Sequence, residues 1–171
     1  MNGICAFLRH QRGNATIEFA MASLFLFGVI MVALDFGVYA QQNLKLASGV
    51  QQGAVYAFNN RAASVDTAIL GQYVTAAAGV TPTMTYRCNG SSCSGTISAS
   101  GTAQCIGAQD SSGWPTFSAA SGSGSSATCA DGSAPGIYLV IRATRTYQSV
   151  TVPDQYLSGR TMKQQAVVRL S

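Results

Sequence analysis

Two sets of residues in this sequence have the chemistry to do something. The first is a lone carboxylate, Glu18, at the head of an uncharged stretch from Phe19 to Leu34. An ionised side chain inside a lipid-facing helix costs at least about 2.5–3.5 kcal/mol, so a glutamate there calls for a partner of opposite charge. Ahead of it the chain reads Arg12-Gly13-Asn14-Ala15-Thr16-Ile17-Glu18-Phe19, a base and a glycine followed five positions later by the acid. The second set is Cys88, Cys93, Cys105 and Cys129, with a fifth cysteine, Cys5, far upstream. Four cysteines spaced through a stretch rich in Gly, Ser, Ala and Thr indicate two disulfides that staple a segment too poor in apolar residues to fold alone. Three pairings are open, and Cys88 with Cys93 and Cys105 with Cys129 is the preferred one. A metal site would need C-x-x-C pairs or histidines, and the gaps of four, eleven and twenty-three residues offer neither.

Composition removes whole classes of function. The single histidine, His10, precedes the apolar stretch and cannot share a site with anything beyond it. Ser-His-Asp and Cys-His catalysis are thereby excluded from the main part of the chain, as are zinc sites that use histidine. The acids beyond the stretch, Asp66, Asp110, Asp131 and Asp154, make no close pair in sequence, so the expectation is a protein that is not an enzyme and carries no cofactor. Only 9% of the 171 residues are charged, against about 25% in an ordinary soluble domain. Ten bases and six acids are scattered thinly, with no stripe to follow a phosphate backbone, and no nucleic-acid partner is expected.

The element that must position Glu18 is a membrane helix. The twenty-four residues from Ile17 to Ala40, at about 1.5 Å each, reach about 36 Å, against about 30 Å of hydrocarbon. Glu18 and Asp35 would then stand near opposite faces of the bilayer. Arg9 and Arg12 precede the run and only Lys45 follows it within twenty residues, which favours a cytoplasmic N-terminus. Val38-Tyr39-Ala40 has the small-residue ending of a signal peptide, but the apolar stretch is long for a signal core and carries two acids.

Glu18-Phe19-Ala20, Asp35-Phe36-Gly37 and Gly53-Ala54-Val55-Tyr56-Ala57, in that order after a short basic leader, carry a family resemblance. Residues Gly13 to Ala57 resemble the TadE-like pilin-like proteins (pseudopilins) of the tight-adherence (Flp, type IVc) pilus system. Two features depart from the pattern: the apolar core lacks an early proline, and Gln52 precedes Gly53 where relatives carry a charge. Neither touches the processing positions. The resemblance implies a leader, 1–13, removed by a prepilin peptidase after Gly13, leaving Asn14 as the new N-terminus followed by Glu18 and Phe19. It implies that Glu18 meets the α-amine of a neighbouring subunit, a pairing that neutralises two charges in a low-dielectric setting. Asp35 is a second candidate for docking and register. The partners implied are the membrane, the peptidase, other pilins and pilus platform proteins. The location implied is the bacterial inner membrane, crossed once, with the C-terminal domain periplasmic or in the pilus. Two rival readings are a minor pseudopilin of a secretion or DNA-uptake system and a signal-anchored periplasmic binding module.

The expected fold is α+β. A transmembrane helix, 14–40, continues into an exported pilin-like domain, 41–171, with a Cys/Gly/Ser-rich excursion over 88–135. Leu44, Ala47, Gln51, Ala54, Val55 and Phe58 recur at helical steps, which predicts a helix from Ala15 to Phe58 with Leu44, Val55 and Phe58 facing its own domain. Asn59-Asn60-Arg61 breaks it. Ser64 is the expected cap of a second helix through Ala78, with Val65, Ala68, Ile69, Tyr73 and Ala76 on one side and Gly79 ending it. Strands are expected over Thr81–Tyr86, Ile137–Val152 and Met162–Leu170, with a turn at Pro153-Asp154, enough for a small antiparallel sheet on the helices. Trp114-Pro115-Thr116-Phe117 is either an anchor for the excursion or a contact surface.

Overall fold

Helix α1 runs without a break over Ile4–Asn59 in the computed structural model, which describes residues 4–122, 127–149 and 158–171, with side chains from Ala15 onward. Contacts divide the chain into two units. One is Met1–Ala40 with Tyr147–Arg160, and the other is Gln41–Thr146 with Thr161–Ser171. The expected turn at Pro153-Asp154 lies outside the described residues.

The first unit is dominated by apolar helix. From Ala15 the helix is long and apolar enough to cross a membrane, and none of its most apolar window is buried. The core helix of a soluble protein would be covered instead. Phe19, Leu24 and Phe25 are each about three-quarters exposed. The one hydroxyl in the middle of this stretch, Ser23, donates back to the carbonyls of Phe19 and Ala20 at 2.6 and 3.2 Å, so it presents no unsatisfied donor to an apolar surround.

The second unit is α+β. After α1 come β1 (Val65–Asp66), α2 (Thr67–Ala78), β2 (Thr83–Cys88), β3 (Ser91–Ser92), β4 (Thr96–Ile97), β5 (Gln104–Gln109), β6 (Pro115–Ala119), β7 (Tyr138–Thr146) and β8 (Thr161–Arg169). Strands β3, β2, β7 and β8 form an antiparallel sheet in that order, while β1 pairs with β4 and β5 with β6. The register sets Leu139, Ile141 and Ala143 of β7 beside Tyr86 and Met84 of β2 and Val168, Ala166 and Gln164 of β8 on one face of the sheet. On that face the Tyr86 hydroxyl donates to the Thr67 carbonyl at 3.1 Å, and Gln164 Nε2 donates to Asn43 Oδ1 at 2.9 Å, so both helices cover it. The opposite face carries Arg87, Val140, Arg142 and Lys163 and is covered by the β5–β6 hairpin through Trp114 and Phe117. With a layer on each side, Tyr138 through Arg142 of β7 are all buried.

Several predicted boundaries shift. Helix α1 ends at Asn59, as expected, with the Asn60 side-chain amide donating to the Tyr56 carbonyl at 2.9 Å. The face of α1 that packs inward is different from the predicted one. Leu44, Val55 and Phe58 are each more than half exposed, whereas Leu46, Val50 and Ala57 are buried with Gly49 and Gly53 between them. A Cβ built on Gly49 would lie 2.7 Å from the Val74 carbonyl oxygen, and one on Gly53 2.6 Å from Val74 Cγ2. The two glycines let α2 approach the α1 backbone, and that approach selects the buried face.

Helix α2 starts later than predicted. Its cap is Asp66, whose carboxylate accepts from the Ala68 amide at 2.8 Å, and not Ser64. Its buried side is Thr67, Leu70, Val74 and Ala78, while Ile69 and Tyr73 face outward. Gly79 ends it in the left-handed conformation, as expected. Strand β7 stops at Thr146, short of the predicted Val152.

The Cys-rich excursion holds more regular structure than its composition suggests. Asn89 and Gly90 both have positive φ, 46° and 83°, and with Cys88 paired to Ser91 they make the two-residue turn of the β2–β3 hairpin. The Asn89 side chain then bonds outward, accepting from the Tyr138 amide at 2.8 Å and donating to the Thr102 carbonyl at 3.0 Å. The disulfides are Cys88–Cys93 and Cys105–Cys129, the preferred pairing.

Candidate functional site

The sequence points to two ends of one apolar helix. Glu18 is an exposed residue of α1, flanked by exposed Ile17 and Phe19. Gly13 and Asn14 lie in the same helix ahead of the first described side chain. No turn or break sets the glycine apart from the glutamate: the string from Arg12 to Phe19 is helical throughout. Chemically, this end offers a carboxylate with apolar neighbours, suited to meeting a cation supplied from outside the chain.

Asp35 follows seventeen residues later, about 26 Å further along the axis, so the two acids do not share a site. Its surroundings are the reverse of those of Glu18. Asp35 is only 2% exposed, and its Oδ2 accepts a 2.6 Å hydrogen bond from the Ser149 hydroxyl. The Tyr147 hydroxyl donates to the Asp35 backbone carbonyl at 3.1 Å, and the Tyr147 ring meets Tyr39 edge-on with centroids 5.2 Å apart. Tyr147 is itself fully buried. Hydrogen bonds from the Tyr147 amide to the Arg160 carbonyl, 2.8 Å, and from Gly159 to Tyr147, 3.0 Å, bring the two ends of the 147–160 segment together. The neighbours of Asp35 in the triplet differ: Phe36 is about half exposed, and Gly37 has open space where a Cβ would stand.

The third motif, Gly53-Ala54-Val55-Tyr56-Ala57, lies in the second unit. Gly53 and Ala57 face inward and Val55 outward, while the Tyr56 ring stacks on Tyr73 of α2 with centroids 4.8 Å apart. This box is therefore a helix-packing element. The cysteines occupy two separate places, Cys88–Cys93 bracing the β2–β3 hairpin and Cys105–Cys129 tying β5 to the residues that follow the second hairpin.

A family model described as TadE-like protein matches residues 13–55. Over that segment the chain is similar to TadE-like proteins. No curated protein and no solved structure matches the chain. The TadE-like segment begins at the glycine ahead of Glu18, takes in Asp35 and Gly53, and ends before α2, all four paired cysteines and Trp114.

Tyr147 and Ser149, the partners of Asp35, were not legible as such. They lie more than a hundred residues downstream of it, and no spacing rule connects them. The one available signal is that a carboxylate in an apolar run must find donors somewhere, and a Tyr-x-Ser after the strongest strand is a source of them.

Proposed function

We propose that this chain is a minor pilin-like membrane subunit of the tight-adherence pilus machinery, a structural component and not a catalyst. The observation that carries this reading is the TadE-like match over residues 13–55, which covers both the Gly13–Glu18 string and the exposed apolar helix that follows it. Residues 1–13 form a leader on the cytoplasmic side, 14–40 cross the inner membrane, and 41–171 lie outside it. Disulfides support that side as well, because they persist in an oxidising compartment. The prepilin peptidase cuts after Gly13. The new amine of Asn14 and the carboxylate of Glu18 are then close to the same membrane face, and pairing between neighbouring subunits removes two isolated charges from lipid. The exposed face of Phe19–Leu34 packs against like helices, where association rests on van der Waals contact and small polar bonds.

The mature N-terminus tests the processing step. Intact mass of the protein extracted from membranes is expected to begin at Asn14. A full-length chain would leave a simple anchor, and a start at Gln41 would mean a secreted protein. Replacing Glu18 by alanine is expected to leave insertion and disulfide formation intact while lowering incorporation into pilus assemblies about tenfold or more, the loss of one charge-assisted bond of about 1.5–3 kcal/mol. Normal piliation in that variant would remove Glu18 from the register role.

A further inference from the structure

The four-stranded sheet contains five cations, Arg87, Arg142, Arg145, Lys163 and Arg169, and no acid. The strand register puts Arg87, Arg142, Lys163 and Arg169 on the face covered by the β5–β6 hairpin, with Arg169 at the end of β8 donating to the carbonyls of Pro135 and Ser171. There a cleft of about 330 Å³ opens between Gln109, Ser112 and Gly113 on the hairpin side and Arg142, Lys163 and Gln165 on the sheet. Arg142 is 9% exposed and its acceptors are all neutral. Nη2 and Nε donate to Gln165 Oε1 at 2.8 and 3.3 Å, and Nη1 donates to the Ser112 carbonyl at 3.2 Å. The guanidinium groups of Arg142 and Arg87 lie 3.5 and 4.2 Å from the Trp114 ring centroid, and Arg87 Nε is buried with no hydrogen-bond acceptor among the described residues. The acid of this region, Asp110, already accepts from the amides of Ser112 and Trp114 at 2.8 and 2.9 Å. At the cleft and Trp114, Arg87, Arg142 and Lys163 thus stand with one committed carboxylate.

We propose that this cleft receives a carboxylate side chain of an acidic peptide segment from a partner protein, held between Arg142 and Lys163. Burial, with the nearby charge of Arg87 and against that of Asp110, holds the pKa of Arg142 below its ordinary value, and a nearby anion favours its charged form. A bidentate guanidinium–carboxylate contact is the strong form of such recognition. A peptide fits better than a sugar chain for two reasons. Trp114 is 8% exposed beneath two guanidinium groups and offers no open ring face for a sugar to stack on. Lys163 and Gln165 belong to β8, the edge strand of the sheet, beside which an extended peptide can run. The site uses only residues beyond the TadE-like segment, so it stands or falls separately from the pilus reading.

Trp114 is the only tryptophan in the chain and reports on the site directly. The full chain in detergent micelles is titrated with an acetylated, amidated hexaglutamate peptide while tryptophan emission is followed. A saturable change that weakens with added salt is expected, with no response to hexaglutamine. Lys163 is exposed, so Lys163→Glu preserves the buried Arg142–Trp114 contact and is expected to weaken binding about tenfold, whereas Lys45→Glu on α1 leaves it unchanged. The proposal is overturned by a flat titration, by equal binding of hexaglutamine, or by equal effects of the two lysine variants. Tighter binding of oligogalacturonate than of hexaglutamate would also overturn it, in favour of an acidic polysaccharide.

Discussion

A carboxylate stays buried only where donors reach it, and the two acids of the apolar helix meet that condition differently. Glu18 is exposed, with no enclosure from its own chain, whereas Asp35 is enclosed and bonded by its own chain through Ser149. Asp35 therefore has a role inside its own chain: it ties Tyr147 and Ser149 to the helix. A hydrogen bond to a charged group contributes about 1.5–3 kcal/mol, equivalent to about ten- to a hundredfold in a local opening equilibrium. Asp35→Ala is expected to raise hydrogen exchange at the Tyr147 and Gly159 amides by that factor, while the amides that join β2 to β7 keep their protection. Unchanged exchange at Tyr147 and Gly159 would show that these residues are held by other contacts.

Among the elements, the packing of α1 on α2 decides how much of the second unit could be anticipated. The existence and type of both helices, the break after Asn59, the Gly79 stop and strands β2, β7 and β8 were all legible from periodicity, turn residues and β-branched runs. The buried face of α1 was not. Periodicity gives weight to large apolar residues and none to glycine, yet Gly49 and Gly53 are where α2 comes closest, and the large residues Leu44, Val55 and Phe58 are turned away. The Asn89-Gly90 turn was not anticipated, because the stretch was read through its overall composition, which argued for loop. The four cysteines and their pairing were legible because their spacing and the composition around them are local in sequence. Arg87, Arg142 and Trp114 were not, because only strand register brings them together. The glycine seam gives a prediction whose sign runs against propensity. Gly→Ala in a helix interior ordinarily stabilises by about 0.5–1 kcal/mol. At Gly49 the added methyl meets the Val74 backbone oxygen, which cannot rotate away, and overpacking of this kind costs about 1–3 kcal/mol. Gly49→Ala is expected to lower the denaturation midpoint of the second unit, and a higher midpoint would mean that α2 moves freely on α1.

Taken as a whole, the chain stabilises its apolar-poor excursion covalently, and the two bridges are unequal in what they restrict. Closing a loop removes unfolded-state entropy in proportion to the logarithm of its length. A separation of 24 residues, as in Cys105–Cys129, corresponds to about 3.5 kcal/mol, and one of 5, as in Cys88–Cys93, to about 2 kcal/mol. The shorter bridge also closes a hairpin that already has a favourable Asn-Gly turn and an Asn89 side chain that donates one hydrogen bond and accepts another, so part of its contribution is redundant. The longer one encloses the β5–β6 hairpin and with it Trp114, whose stacking under Arg87 and Arg142 holds the hairpin on the sheet. Chemical denaturation of the full chain in micelles, followed by Trp114 emission, separates the two. The Cys105→Ser/Cys129→Ser variant is expected to lose about 3 kcal/mol and to release Trp114 at lower denaturant, and Cys88→Ser/Cys93→Ser about 2 kcal/mol or less. If the short bridge proved the more costly to remove, loop entropy would not be the source of the stabilisation. The β2–β3 hairpin, and not the Trp114 hairpin, would then be the part of the fold that depends on oxidation.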